Sequence, residues 1–177
     1  MGHLKSFLLP CLLATTLQAA PTLYMLPYEQ HEALKSLISG INAAKSQINI
    51  SIYSFTHKDI AKALRDAAAR GVQIRIIYDQ GGAHGKYSTM GYLAKYRGIS
   101  TCTLSGKEAS YFGKGKEYRG IMHQKLAIID NNTIFLGSAN WSKNAFENNY
   151  ELLLKDNDPS LIQKAQSYYK KMWSECR

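Results

Sequence analysis

Acidic residues are scarce. The 177 residues hold 13 Asp and Glu against 22 Lys and Arg, and no local cluster of carboxylates offers a magnesium cage. Cysteine is scarcer, at three, and no CxxC or HxH spacing occurs, which argues against a cysteine/histidine zinc site. No metal and no other cofactor is therefore expected. No internal repeat and no low-complexity tract is present, which argues against a solenoid or an extended disordered chain. The one apolar run that stands out, Phe7 to Leu17, is about half the ~20 residues a membrane-spanning helix needs.

That run follows Lys5 and precedes "LQAAP", the pattern of a secretory signal with small residues at the cut. Residues 1–19 are read as a signal peptide, or as an uncleaved anchor that would tether the protein to a membrane. Residues 20–177 are read as a single domain, periplasmic or membrane-associated, or secreted. Cleavage would remove Lys5 and Cys11, reducing the charge from +9 to +8 and leaving Cys102 and Cys176. In an oxidising compartment these two can pair or stay as free thiols, and sequence alone leaves both open. The positive charge suits a polyanionic partner, nucleic acid or an anionic membrane surface.

What the chain does contain is an alternation of helical and strand patterns. Residues 29–45 carry helical periodicity, and 48–55 ("INISIYSF") read as a strand. A helix capped by Thr56 follows over 57–70 and stops at Gly71, before a strand at 72–79. A glycine loop, a helix at 87–97 and a short strand at 99–104 come next, then a polar loop over 105–120. Strands at 121–129, 133–138 and 151–155 and a final helix at 158–173 complete the pattern. The fold class this predicts is α/β, a mixed β-sheet sandwiched between helices on both faces.

The stretch "MHQKLAIIDNNTIFLGSANWS" (122–142) carries the chemistry. Alternate residues of a strand share a face, so His123 and Lys125 should point the same way. Asn131-Asn132 suits a two-residue hairpin loop. With Asp130 paired to Thr133, His123 falls opposite Asn140 and Lys125 opposite Ser138. An ammonium, an amide and a hydroxyl form a phosphate-binding set, and a histidine beside them can attack phosphorus or shuttle protons. The plainer alternative is a solvated face of an edge hairpin. Asp130, at the turn, suits an Asx-type bond to local backbone and a structural role. Glu147 and Glu151 are the nearby carboxylates able to orient an imidazole.

Other features weigh less. "HKD" at His57-Lys58-Asp59 lies in the first turn of a helix, where Asp59 complements the dipole. "GGAHGK" (81–86) fails as a P-loop, because Gln80 stands for the first glycine and Tyr87 for Ser/Thr. Its His84 and Lys86 leave the carboxyl end of a strand, a common ligand edge. In the 105–120 segment, Lys107, Lys114, Lys116 and Arg119 interleave with Tyr111, Phe112 and Tyr118, a pattern suited to phosphates and unpaired bases. Tyr168, Tyr169 and Trp173 on the last helix are expected in the core.

"HQKLAIID" followed by "GSANWS" resembles the HxK(x4)D(x6)GSxxN motif of the phospholipase D superfamily. Every position is present: His123, Lys125, Asp130, Gly137, Ser138 and Asn140. "IYSFTHKDIAKALRDAAARGVQIRIIYD" and "NWSKNAFENNYELLL" look like the flanking segments of its small, single-motif Nuc/NucT-type bacterial endonucleases, so the resemblance covers nearly all of 20–177. It implies a phospholipase D-like fold and a homodimer with its active site on the two-fold axis. One His123 would attack phosphorus to give a phosphohistidine, and its partner copy would protonate the leaving oxygen and then activate water. Lys125 and Asn140 would hold phosphate oxygens with Ser138 assisting, and Glu151 would orient the histidine. No metal would be required. The resulting expectation is an exported endonuclease acting on DNA and also RNA, single strands included. The alternatives are a phospholipase D or phosphatidyltransferase, and a non-catalytic DNA-binding protein in DNA uptake.

Overall fold

A computed structural model describes residues 20–110 and 117–177. Residues 1–19, with the expected signal peptide, and residues 111–116, with Tyr111, Phe112, Lys114 and Lys116, lie outside the described residues.

Among the described residues, fourteen elements follow one another: β1 (Thr22–Leu26), α1 (Gln30–Ala43), β2 (Gln47–Ile52), α2 (Lys58–Ala69), β3 (Gln73–Asp79), α3 (Gln80–Ala83), α4 (Met90–Leu93), β4 (Ile99–Ser110), β5 (Glu117–Ile121), β6 (Lys125–Ile129), β7 (Thr133–Gly137), α5 (Lys143–Glu147), β8 (Glu151–Asp156) and α6 (Pro159–Glu175). One sheet of eight strands runs in the order β1-β8-β7-β6-β2-β3-β4-β5. β2, β3 and β4 are parallel, and the remaining neighbours are antiparallel. The expected α/β fold is thus observed, with a mixed sheet and helices on both faces.

The two faces have separate cores. Ile48, Ile50 and Ile52 of β2 pack with Leu37 and Ile41 of α1, Ile60 and Leu64 of α2, and Phe146 of α5. On the other face Ile77, Ile128 and Ile134 pack with Ile162 and Tyr169 of α6. β2 is therefore covered on both sides. Its inward polar residues are satisfied: Asn49 donates to Gln166 Oε1 (3.3 Å) and Ser51 to Gln124 Oε1 (2.7 Å). No helix among the described residues is long and apolar enough to cross a membrane.

Several boundaries differ from the sequence reading. The 105–120 segment is largely a β-ribbon, because β4 continues to Ser110 and pairs with β5. The stretch 121–129 is two strands, since pairing breaks after Ile121 and resumes at Lys125. The helix expected at 87–97 shrinks to α4. Thr56 does not cap α2; His57 occupies the cap position, with no side-chain cap bond. β1, α3 and α5 have no counterpart in the sequence reading, which places a glycine loop where α3 forms. Cys102 and Cys176 form a disulfide, resolving the open alternatives.

The hairpin register is also shifted. Thr133 pairs with Ile129, not Asp130, and the loop is three residues long. Asp130 and Asn131 both take positive φ (49° and 56°). Asp130 does so because its carboxylate reaches a distant strand start. It accepts Lys45 N–H (2.7 Å), Ser46 N–H (2.8 Å), the Ser46 hydroxyl (2.8 Å) and Gln47 N–H (2.9 Å). The Asp130 carboxylate thus binds main chain, but its partners stand at the start of the neighbouring strand β2 rather than in a local Asx turn. At Gly137 a Cβ would lie 2.2 Å from the Leu152 carbonyl oxygen, so only glycine permits β7 and β8 to pair there.

Burial pushes the Asp130 carboxyl up, but the bonds from Gln47, Lys45 and Ser46 outweigh it and hold its pKa below the ordinary 3.8. A depressed carboxylate stabilises the fold above its unfolded pKa and loses that contribution as pH falls through the folded value. Asp130→Ala should cost about 2 kcal/mol in urea unfolding at pH 7, the scale of charge-assisted bonds at a half-buried site. The difference from wild type should shrink as the pH is taken below 3.8.

Candidate active site

The site forms at the carboxyl ends of β2 and β3, an edge that commonly binds ligands in α/β sheets. β6 begins there, with Lys125 paired to Ile52 at the last position of β2. Residues 122–124 form no strand but are tied down at each step. Met122 N–H donates to Asp79 Oδ1 (2.9 Å), Tyr53 N–H donates to the Gln124 carbonyl (3.0 Å), and Ser51 holds the Gln124 side chain. His123 is thereby presented to solvent at the sheet end, with its ring edge-on to Tyr53 at 4.7 Å between centroids.

Lys125 is only 6% exposed. Its ammonium donates to the His123 carbonyl (2.9 Å) and sits 5.2 Å from the centre of the Tyr53 ring. Burial lowers its pKa and the field of Glu151 raises it, with burial dominant. A cation in such a place needs compensation, and the carbonyl, the ring and the carboxylate supply it.

The second half of the motif reaches the same edge by a different route. After Gly137 the chain leaves the ladder, and Trp141 forms a parallel bridge with Phe55 just beyond β2. Trp141 N–H donates to Ser54 O (3.0 Å), and Thr56 and His57 N–H both donate to Trp141 O (2.8 Å each). These bonds place Asn140 at the end of β2, with its Oδ1 buried and without a hydrogen-bond partner among the described residues. Ser138 lies exposed beside Glu151, its hydroxyl bonded to the Glu151 carboxylate and accepting Leu152 N–H (3.1 Å).

The hairpin register expected from sequence does not create this cluster, because His123 lies outside β6 and the ladder is shifted by one residue. The Phe55–Trp141 bridge gathers it instead. The Glu151 carboxylate is bonded to Ser138 and to Asn149 Nδ2 (3.5 Å), not to an imidazole. Glu147 pairs with Lys143 on its own helix (3.7 Å). His57 is buried against Phe146, and burial lowers its pKa against the opposing fields of Asp59 and Glu147. His84 is exposed at the end of α3, and Lys86 lies over Tyr87 rather than beside His123. Lys107 and Arg119 stand on the ribbon, paired with Glu175 (2.6 Å) and Glu108. Among the described residues, no group of three His, Cys, Asp or Glu could hold a metal ion.

Two residues were missed. Tyr53 touches both His123 and Lys125. Asp79, 3% exposed, accepts the N–H groups of Gly81 (2.9 Å), Gly82 (3.1 Å) and Met122. It therefore couples the first turn of α3 to the residue before His123. Gly82 rests on Tyr53, where a Cβ would lie 2.1 Å from the Tyr53 carbonyl oxygen. The available signal was an aspartate closing a strand before Gly-Gly, read only as a failed P-loop.

The chain matches the family model described as "Cardiolipin synthase, PLD-like domain" over residues 37–173. Among solved structures it is similar to NucT from Helicobacter pylori (55% identity, TM-score 0.84, covering 89% of this chain and 97% of that one). It is also similar to Nuc, a phospholipase D family member from Salmonella typhimurium (30% identity, TM-score 0.70, the same coverage). Among curated proteins it is similar to a mitochondrial cardiolipin hydrolase from Chlamydomonas reinhardtii, 28% identical over 141 residues, 80% of this chain. The chain spans 57% of that protein's length and 62% of the Xenopus laevis counterpart.

Asp79→Ala should lower kcat on any phosphodiester this site hydrolyses by about 100-fold, the scale of a misplaced reacting group. Asp79→Asn keeps only one of the two acceptor oxygens and sets an amide NH2 against main-chain donors, so it should recover only part of the loss. Wild-type kcat in Asp79→Ala would exclude the positioning role.

Proposed function

The chain belongs to the phospholipase D-like family, and on that premise we propose that it is an exported, metal-independent endonuclease that hydrolyses phosphodiester bonds of DNA and also of RNA, single strands included. The carrying observation is that His123, Lys125 and Asn140 all stand at the carboxyl end of β2, where a part-buried lysine ammonium is available to neutralise phosphate. Resemblance of the motif and its flanks to Nuc-type endonucleases supports nucleic acid as the substrate. So do the basic charge and the higher identity to NucT than to the cardiolipin hydrolases. The Cys102–Cys176 disulfide supports export to an oxidising compartment.

The site is proposed to be completed by a second copy of the chain. An uncovered apolar strip supports this: Met25 and Leu152, paired across β1 and β8, are 49% and 38% exposed beside Glu151. In the first step a neutral His123 nitrogen attacks phosphorus and the P–O bond to the leaving nucleoside breaks. The other copy's protonated His123 gives its proton to the departing oxygen. In the second step that now neutral imidazole takes a proton from water as the water oxygen attacks phosphorus, and the P–N bond breaks. Lys125 and Asn140 hold the non-bridging oxygens, with the Ser138 hydroxyl assigned an assisting role by the family resemblance. Glu151 holds Ser138 within the chain and supports the Lys125 charge; orienting an imidazole is the further role assigned to it by family resemblance.

A second reading, hydrolysis or transfer of phospholipid headgroups, draws on the cardiolipin hydrolase likeness and on an uncleaved N-terminal tether. A third is non-catalytic DNA binding during uptake. Cleavage of a labelled single-stranded oligonucleotide in EDTA separates them. Wild type should cut, and His123→Ala should bind without cutting. Phospholipid turnover without oligonucleotide cleavage would favour the second reading, and salt-sensitive binding without cleavage by wild type the third.

A further inference from the structure

A groove of about 390 Å³ opens directly at His123 and runs between the C-terminal half of α6 and the β4–β5 ribbon. Its walls include Leu104, Lys107, Ile121, His123, Tyr168 and Lys171. Tyr168 was expected in the core. Its neighbour Tyr169 is indeed buried, bonded to the Arg75 carbonyl (2.8 Å), but Tyr168 is 55% exposed. One helical turn separates it from Lys171, whose ammonium lies 4.9 Å from the centre of the Tyr168 ring.

The far wall is held firmly. The disulfide fixes Cys176 to Cys102 of β4, and Thr103 and Arg177 exchange two backbone bonds (2.7 and 3.0 Å). Lys107 at the rim pairs with Glu175 (2.6 Å), and both side chains are largely exposed. An exposed pair of this kind costs little to exchange for a phosphate partner. Glu175 is the carboxylate in the groove that opposes a polyanion, and Lys107 and Lys171 outnumber it.

We propose that this groove is the track for the nucleic-acid strand flanking the scissile phosphate, with Tyr168 as a base-stacking platform and Lys171 and Lys107 as phosphate contacts. Alternating cations and an exposed ring fit a single strand, whose bases expose π-faces at regular steps beside phosphates. The groove's continuity with His123 sets the direction in which the strand leaves the site. This proposal rests on the nuclease reading above and specifies where the substrate lies.

The test compares a single-stranded oligonucleotide with bis(4-nitrophenyl) phosphate, a small diester that has no flanking nucleotides. Tyr168→Ala should raise KM for the oligonucleotide about tenfold with the loss absent from kcat, and Tyr168→Phe should restore it. Lys171→Glu should lower the ratio of oligonucleotide to small-diester kcat/KM by a similar factor and flatten the salt dependence. Wild-type KM in both variants, on an oligonucleotide that wild type cleaves, would overturn the track alone. A wild type that hydrolyses the small diester or cardiolipin vesicles but no oligonucleotide would overturn the nuclease reading and the track together.

Discussion

The low exposure of Lys125 and the need to partner its ammonium constrain everything around it. Lys125 is 6% exposed as a residue, and a part-buried cation is unfavourable without partners, so the surrounding structure must supply them. The His123 carbonyl does so directly, which fixes the main chain of the histidine relative to the lysine. Tyr53 supplies a ring face to the ammonium and an edge contact to the imidazole. Glu151 supplies the opposing field from β8, two strands beyond β6. A lysine whose solvation is replaced by fixed protein groups needs little rearrangement to meet developing charge on a phosphate.

The second constraint is the continuity of β2. It is buried on both faces, pairs with β3 on one edge and β6 on the other, and carries the Phe55–Trp141 bridge beyond its end. Both halves of the motif are thus referred to one rigid strand. Asp79 extends the same frame from β3 to Met122. The disulfide fixes α6 to β4, so the wall beside His123 belongs to that frame as well.

Much of this was legible in the sequence, for physical reasons. The mixed α/β pattern showed because β-branched runs and amphipathic helices differ in period, and the motif spacing picked out His123, Lys125 and Asn140, which the structure sets at the carboxyl end of β2. The route was wrong, however. A two-residue turn was inferred from Asn131-Asn132, but the pull of Asp130 on three distant backbone amides added a residue to the loop. Such long-range bonds leave no local signature. The ribbon was missed because its polar, glycine-rich residues carry weak strand propensity, and pairing with β4 decides its state. Tyr168 was misplaced because helical periodicity does not separate adjacent aromatics at the edge of a buried stripe.

In the proposed mechanism His123 itself becomes bonded to phosphorus. The most direct measurement is a rapid alkaline denaturing quench during oligonucleotide turnover in EDTA, followed by intact-mass and peptide analysis under non-acidic conditions. We expect an acid-labile adduct of the 3′- or 5′-phosphorylated fragment on His123, formed and lost at the turnover rate and missing in His123→Ala. Full turnover with no adduct on any residue, or an adduct that persists in His123→Ala, would contradict it.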